Sequence, residues 1–349
     1  MQTDDCAHCE HRRKRRFPAF WISALVLGVV CLTVVSLCLG QFSIWPGDFL
    51  WLVRERLGGI VTDAGNVFFN VRLPRVLAAL LIGAGLSMAG GAYQGIFNNP
   101  MVSPDLLGAS SGAAFGAVLG ILFSFGTLGT ELSAFCMGIV AVAFTYAISQ
   151  VAGGDGDLVS VLLTGSVVGS LFAAFTATGT YLSDPNSKMP EIAFWLMGGL
   201  ANVSFGDVCL LLIPFCVGGG ILFANRWWLN LLTFGREEAM SLGVNAARVR
   251  LGVTVGATLL TASSVAVAGM VGWVGLIIPH LSRALVGPNY KALLPVSALM
   301  GAGFLLLVDD VARNVGTTEI PLSVLTAIVG APFFLLLLSR STHLRREMD

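Results

Sequence analysis

The chain has 349 residues, 55% of them hydrophobic and only 11% charged, with 20 basic residues balancing 20 acidic ones. An ordinary soluble chain is roughly 25% charged, so this composition describes a membrane protein. The formal net charge of +0 offers no basic surface for a phosphate backbone and argues against a nucleic-acid ligand.

In chain order, residues 1–16 form a polar, basic tail. It holds Cys6, His8, Cys9 and His11, side chains of metal-ligating type whose spacing fits no closed zinc module. A passive tail and a metal-binding tail are both open readings. The apolar run from Phe17 to Leu39 is too long for a signal-peptide core and has no convincing cleavage site, so it reads as a retained first span. Further apolar blocks follow at 74–97, 106–123, 132–150, 159–180, 192–224, 251–271, 273–286, 292–308 and 320–339. Without period-2 alternation, the expected fold class is all-α, a polytopic bundle of about ten transmembrane helices. The block 273–286 falls short of the about 20 residues a crossing needs and must be tilted, interrupted or shielded by protein. The membrane domain is thus 17–340, with a short C-terminal tail at 341–349.

With both termini cytoplasmic, 14 of the 20 Lys and Arg residues fall inside, including the run 12–16 and residues 226, 236, 248 and 250. The positive-inside rule is satisfied by this orientation. Seven cysteines, in the tail or inside apolar blocks, imply no disulfide framework. The 42 glycines suit close helix packing in lipid. Two segments, "LLIGAGLSMAGGAYQGIFNNPMVSPDLLGASSGAAFG" and "VAVAGMVGWVGLIIPHLSRALVGPNYKALLPVSALMGAG", are similar in character and would be an inverted-topology pair.

No nucleotide-binding lysine loop, "HExxH" or serine elbow is present. Arg72 and Arg75 flank Pro74 at the outer start of the second span, and Arg313 lies in the last outer loop. Arginines at a helix N-terminus oppose the dipole, which calls for another acceptor. Lipid head groups and the carboxylates of an external protein both qualify. Asp309 and Arg313 are spaced for a local i,i+4 ion pair. Acids cluster at block boundaries rather than mid-span, which argues against an ion-driven carrier. The turn Asn98-Asn99-Pro100 and the pair Pro279-His280 inside the short block are candidate gate or hinge elements, with a purely structural turn and a structural histidine as the alternatives.

The stretch "GREEAMSLGVNAARVR" at 235–250 interrupts the apolar pattern on the cytoplasmic side. Glu237 and Glu238 suit an early helical turn, Met240 and Leu242 are helix formers, and Gly243 is a natural stop. Such a helix is too short to stand alone. It reads either as a self-packed turn or as a segment docked into a soluble partner, which would supply the driving force this chain lacks.

The segments "RLPRVLAALLIGAGLSMAGGAYQGIFNNPMVSPDLLGASSGAAFG", "FWLMGGL", "GWVGLIIPHLSRALVG", "LLVDDVAR" and "EIPLSVLTAIVGAPFFLLLL" resemble the iron-chelate and vitamin B12 permease family of ABC importers, the FecCD family, over roughly residues 20–340. The resemblance implies the type II importer permease fold in a prokaryotic cytoplasmic (inner) membrane. It implies as partners a second permease copy or close paralogue, two cytoplasmic ATPase subunits carrying ATP and magnesium, and an extracytoplasmic substrate-binding protein. This chain itself is then non-catalytic, with no cofactor or metal of its own. By motif, Arg72, Arg75 and Arg313 match the arginines that receive the binding protein, and Glu237, Glu238, Met240, Leu242 and Gly243 match the ATPase-coupling segment. The pathway is expected along the fifth span, where Ser160, Thr164, Ser166 and Ser170 are candidate lining residues. A bulky metal chelate is the implied cargo, a ferric siderophore first, cobalamin or haem as alternatives, with oxyanions carried by a few relatives. A proton-coupled secondary transporter is the rival of a different class.

Overall fold

The computed structural model describes residues 3–40, 42, 44–59, 62–153, 158–316 and 318–346, without the side chains of 3–18, 152–153, 158, 236–237 and 337–346. Among the described residues all regular structure is helical. The helices are α1 (Thr3–Cys38), α2 (Phe49–Leu57), α3 (Asp63–Asn66), α4 (Leu73–Ile96), α5 (Ala109–Leu122), α6 (Gly126–Gly153) and α7 (Leu158–Tyr181). They continue with α8 (Lys188–Met197), α9 (Phe205–Leu232), α10 (Arg236–Ser241), α11 (Ala246–Ala268), α12 (Val274–Val286), α13 (Tyr290–Asn314) and α14 (Leu322–Arg346). A π-helical stretch, Val67–Arg72, joins α3 to α4 and makes Asp63–Ile96 one continuous 34-residue span.

Seven helices among the described residues are long and apolar enough to cross a membrane, and three shorter apolar ones, Ala109–Leu122, Val274–Val286 and Leu322–Leu336, accompany them. These ten account for the ten expected spans. One boundary is corrected. The apolar block 192–224 is not a single span; it breaks between α8 and α9, and the crossing helix is Phe205–Leu232. The break has local causes. Gly198 adopts φ +72, Gly199 donates its N–H to Ala268 O at 2.9 Å, and Leu322 donates to Gly198 O at 3.1 Å. The Asp207 carboxylate then accepts from the Ser204 N–H at 2.7 Å and the Ser204 hydroxyl at 3.0 Å, satisfying donors at the start of α9.

The centre of the bundle is α4, buried over most of its length and packed on α9, α11, α12 and α13. Close approach is bought with missing side chains: a Cβ on Gly90 would lie 1.7 Å from Gly275 O. That carbonyl is the one Pro279 leaves without its helical donor, four residues on, so Gly90 seats this buried backbone oxygen against α4. One turn along, the buried Gln94 donates Nε2 to Leu276 O at 3.2 Å and accepts from Arg283 at 3.3 Å. The short α12 is therefore held by protein on its backbone side, as a span too brief for the hydrocarbon core requires.

Two apolar clusters divide the core along its length. One gathers Phe68, Val76, Ile82, Leu306 and Leu322 toward the end where α4 starts. The other gathers Ile96, Leu229, Leu232, Val244, Ala246 and Tyr290 around α10. The two ends of the bundle are called below the arginine end and the α10 end.

Candidate functional site

At the arginine end, all three sequence-predicted arginines are brought together by elements far apart in the chain, but not as groups held out at the surface. Arg72 is 4% and Arg75 5% exposed. Arg72 donates to Leu37 O at 2.8 Å and Cys38 O at 3.1 Å, and also to Phe42 O. Its guanidinium thus caps the last carbonyls of α1, where the dipole is negative. Arg75 is doubly forked. It donates Nε and Nη2 to Asp309 at 3.0 and 2.9 Å, and Nη1 and Nη2 to Glu319 at 2.7 and 3.0 Å. Arg313 donates to Ser36 O at 2.6 Å and to the Ser36 hydroxyl at 2.7 Å, and pairs with Asp310. The expected local pair with Asp309 is the looser contact, at 4.0 Å. The acceptors demanded by the dipole argument are therefore internal, because folding brings the ends of α1 and α13 beside the start of α4.

At the α10 end, the helix Arg236–Ser241 is narrower than the charged stretch 235–250, whose second half is the first turn of α11. Its stop is a glycine motif: Val244 N–H bonds Ala239 O at 3.0 Å and Gly243 N–H bonds Met240 O at 2.9 Å, with Gly243 at φ +78. Glu238 folds its carboxylate back toward Gly235. The side chain of Glu237 lies outside the described residues. Ala239, 0% exposed, anchors the helix in the adjoining core, whereas Met240 and Leu242 are 48% and 64% exposed. Phe234, at 70%, extends that apolar surface. Sequence reading passed over Phe234, although it directly abuts the charged stretch, and took Ala239 only as a helix former.

The pathway candidates divide. Ser166 and Ser170 lie exposed on one face of α7, their hydroxyls bonded to the carbonyls of Leu162 and Ser166 at 3.1 and 2.9 Å. Thr164 is buried and Ser160 half-buried, because 3.6-residue periodicity turns position 164 away from 166. No acid or base occurs in Leu158–Tyr181.

Among the gate candidates, Asn98, Asn99 and Pro100 form an exposed turn with Asn98 at φ +45 and Asn99 Oδ1 accepting from Met101 N–H at 2.9 Å. Pro279 is buried within α12, and His280 rests edge-on against Phe333 with ring centroids 6.3 Å apart. Among the described residues no hydrogen bond links the two groups. The residues that connect these regions are Gln94, Arg283 and Tyr290, with Arg283 3.5 Å from Tyr290 Oη. The tail cysteines and histidines, Cys6 to His11, have side chains outside the described set, and among the described residues no cluster of three metal-ligating side chains occurs.

The model of the FecCD transport family matches residues 27–340. The chain is 42% identical over 315 residues to the molybdate import system permease protein MolB of Haemophilus influenzae, covering 89% of this chain and 92% of that one. It is 35% identical to the hemin transport system permease protein HmuU of Yersinia pestis, with 92% and 97% covered. It is similar to a solved structure described as an inward-facing conformation of a metal-chelate type ABC transporter, with a TM-score of 0.82, 39% identity, and 91% and 98% covered.

Proposed function

Because this chain belongs to the FecCD transport family and is a permease subunit of an ABC importer, we propose that it moves a bulky metal chelate inward, a ferric siderophore first, under power from separate ATPase subunits. The observation that carries the coupling part is the build of α10: a helix anchored through Ala239, stopped at Gly243, and leaving Phe234, Met240 and Leu242 uncovered. That is the form of a rigid apolar knob for a groove in a soluble partner. The α10 end then faces the cytoplasm and the arginine end faces out, in agreement with the distribution of basic residues.

The exposed face of α7 supports the pathway and the cargo class. Its hydroxyls are spent on their own backbone and it carries no charge. A metal wrapped in an organic ligand needs no counter-charge there, and weak contacts favour passage. The same face, in a second permease copy or paralogue, would close the pathway. At the outer end, Asp309 is 0% and Glu319 43% exposed in its side chain. A carboxylate of the binding protein would therefore reach Arg75 by exchanging with Glu319, which gives Arg75 a docking role compatible with its burial.

A second reading, an oxyanion cargo, is favoured by the 42% identity to a molybdate permease. The deciding experiment is uptake by the reconstituted complex with its external binding protein, offered ferric siderophores, haem, cobalamin and molybdate. Uptake of molybdate alone would reject the chelate reading.

A further inference from the structure

At the α10 end, α9 and α13 meet in a corner that carries basic and aromatic side chains. Asp207 and Arg226 bracket a stretch of α9 without a charged residue, about 28 Å long at the helical rise of about 1.5 Å per residue. That length matches the hydrocarbon core of a bilayer, about 30 Å, so Arg226 stands at its boundary and the last turns of α9 enter the head-group layer. Trp227 and Trp228, 50% and 40% exposed, occupy the level where indoles collect in membrane proteins. The start of α13 is tied to this level: Asn230 accepts from the Tyr290 N–H at 2.9 Å and donates to Asn289 Oδ1 at 3.2 Å. Lys291, in the first turn of α13, thereby rests with its Nζ 4.2 Å from the centroid of the Trp227 ring.

Arg226 and Lys291 are both exposed. Among the described residues their side-chain contacts are with rings, Lys291 with Trp227 and Arg226 with Phe223, the latter at 5.9 Å from the guanidinium carbon to the ring centroid. Neither meets a carboxylate, in contrast to Arg75 and Arg313. An ammonium held over an indole keeps its N–H donors free for an anion. From this corner an exposed apolar strip of α9, with Ile213, Cys216 and Gly220, runs along the bundle from Trp227 at helical spacing. Two unpaired cations at the membrane boundary, beside indoles and at the end of a lipid-facing strip, have the chemistry of a phospholipid site, with phosphate on the cations and an acyl chain on the strip. We propose that this corner binds the head group of an anionic phospholipid, with Arg226 and Lys291 holding its phosphate and Trp227 closing one side. A zwitterionic head group brings its own cation and gains less there. The bound lipid joins the end of α9 to the start of α13, beside the segment 233–235 that leads into α10. On the orientation given above it belongs to the cytoplasmic leaflet.

The test uses the full chain purified in nonionic detergent and titrated by thermophoresis with dioctanoyl phosphatidylglycerol, with dioctanoyl phosphatidylcholine and inorganic phosphate as comparisons. Phosphatidylglycerol is expected to bind more tightly than either, to weaken with added salt, and to bind Arg226→Gln/Lys291→Gln about tenfold or more weakly. Arg226→Lys/Lys291→Arg, which keeps both charges, should retain binding. Arg54→Gln/Arg56→Gln, which removes two exposed arginines from α2 at the opposite end, should leave affinity unchanged. Equal binding of phosphatidylcholine, equal binding of inorganic phosphate, an unchanged affinity in Arg226→Gln/Lys291→Gln, or the same loss in the α2 variant would each overturn the site. With ATPase subunits assembled, binding should persist, because the corner faces the bilayer; exclusion of the lipid by those subunits would assign the corner to a protein contact instead. The measurements on the isolated chain use neither ATP nor cargo, so the importer reading stands or falls separately.

Discussion

Arg75 sits between two carboxylates that differ in exposure, and the difference sets what each substitution does. Asp309 has no exposed side-chain surface while Glu319 is 43% exposed. Asp309→Asn leaves a buried guanidinium short of charge and is expected to cost about 3–5 kcal/mol. Glu319→Gln removes a solvent-screened partner and is expected to cost about 0–1 kcal/mol. Thermal unfolding of the purified chain in detergent distinguishes the two, and similar losses would mean that Asp309 is not the principal partner. If Arg75 also receives the binding protein by exchange, Glu319→Gln should tighten docking while Arg75→Glu weakens it. The types and places of these residues were legible in the sequence. Their partners were not, because Arg75 bonds residues 234 and 244 positions away, and no local pattern encodes which helix ends meet.

Elements differ in how local their determinants are. The stop of α10 was readable because the glycine motif is complete within six residues, Ala239 to Val244. Gly243→Ala, at φ +78, is expected to cost about 1 kcal/mol in the native fold, visible as loosened hydrogen exchange confined to residues 236–244. Met240→Asp with Leu242→Asp changes exposed side chains only. It should leave stability within about 0.5 kcal/mol yet abolish ATP-driven uptake by the reconstituted complex; normal uptake would dismiss α10 as the coupling element. The break between α8 and α9 was legible too, in Ser204 and Asp207 at capping-box spacing, but hydropathy averaging across 192–224 hides a polar cap flanked by apolar residues. Packing of α12 was not legible at all. Gly90→Val should disrupt it, since even a Cβ would meet Gly275 O at 1.7 Å. Gly28→Val, with nothing within 4 Å, serves as the control in the same melting experiment.

At the scale of the whole molecule, energy is expected to enter at the α10 end and cargo to leave along the α7 face. Reconstituted uptake should need hydrolysable ATP and the partner ATPase and survive collapse of the proton gradient; uptake by this chain alone would reject the scheme. By itself, the sequence determined the membrane class, the ten apolar helices, the family and the position of α10, because hydropathy, helical period and caps are properties of neighbouring residues. Only the tertiary structure decided that the arginines are buried and paired, that Thr164 turns inward, and that Glu131 and Asp207 lie side by side. Those outcomes depend on which helix ends are adjacent in space, and in lipid that adjacency is set by close packing of small residues on different helices rather than by any one segment.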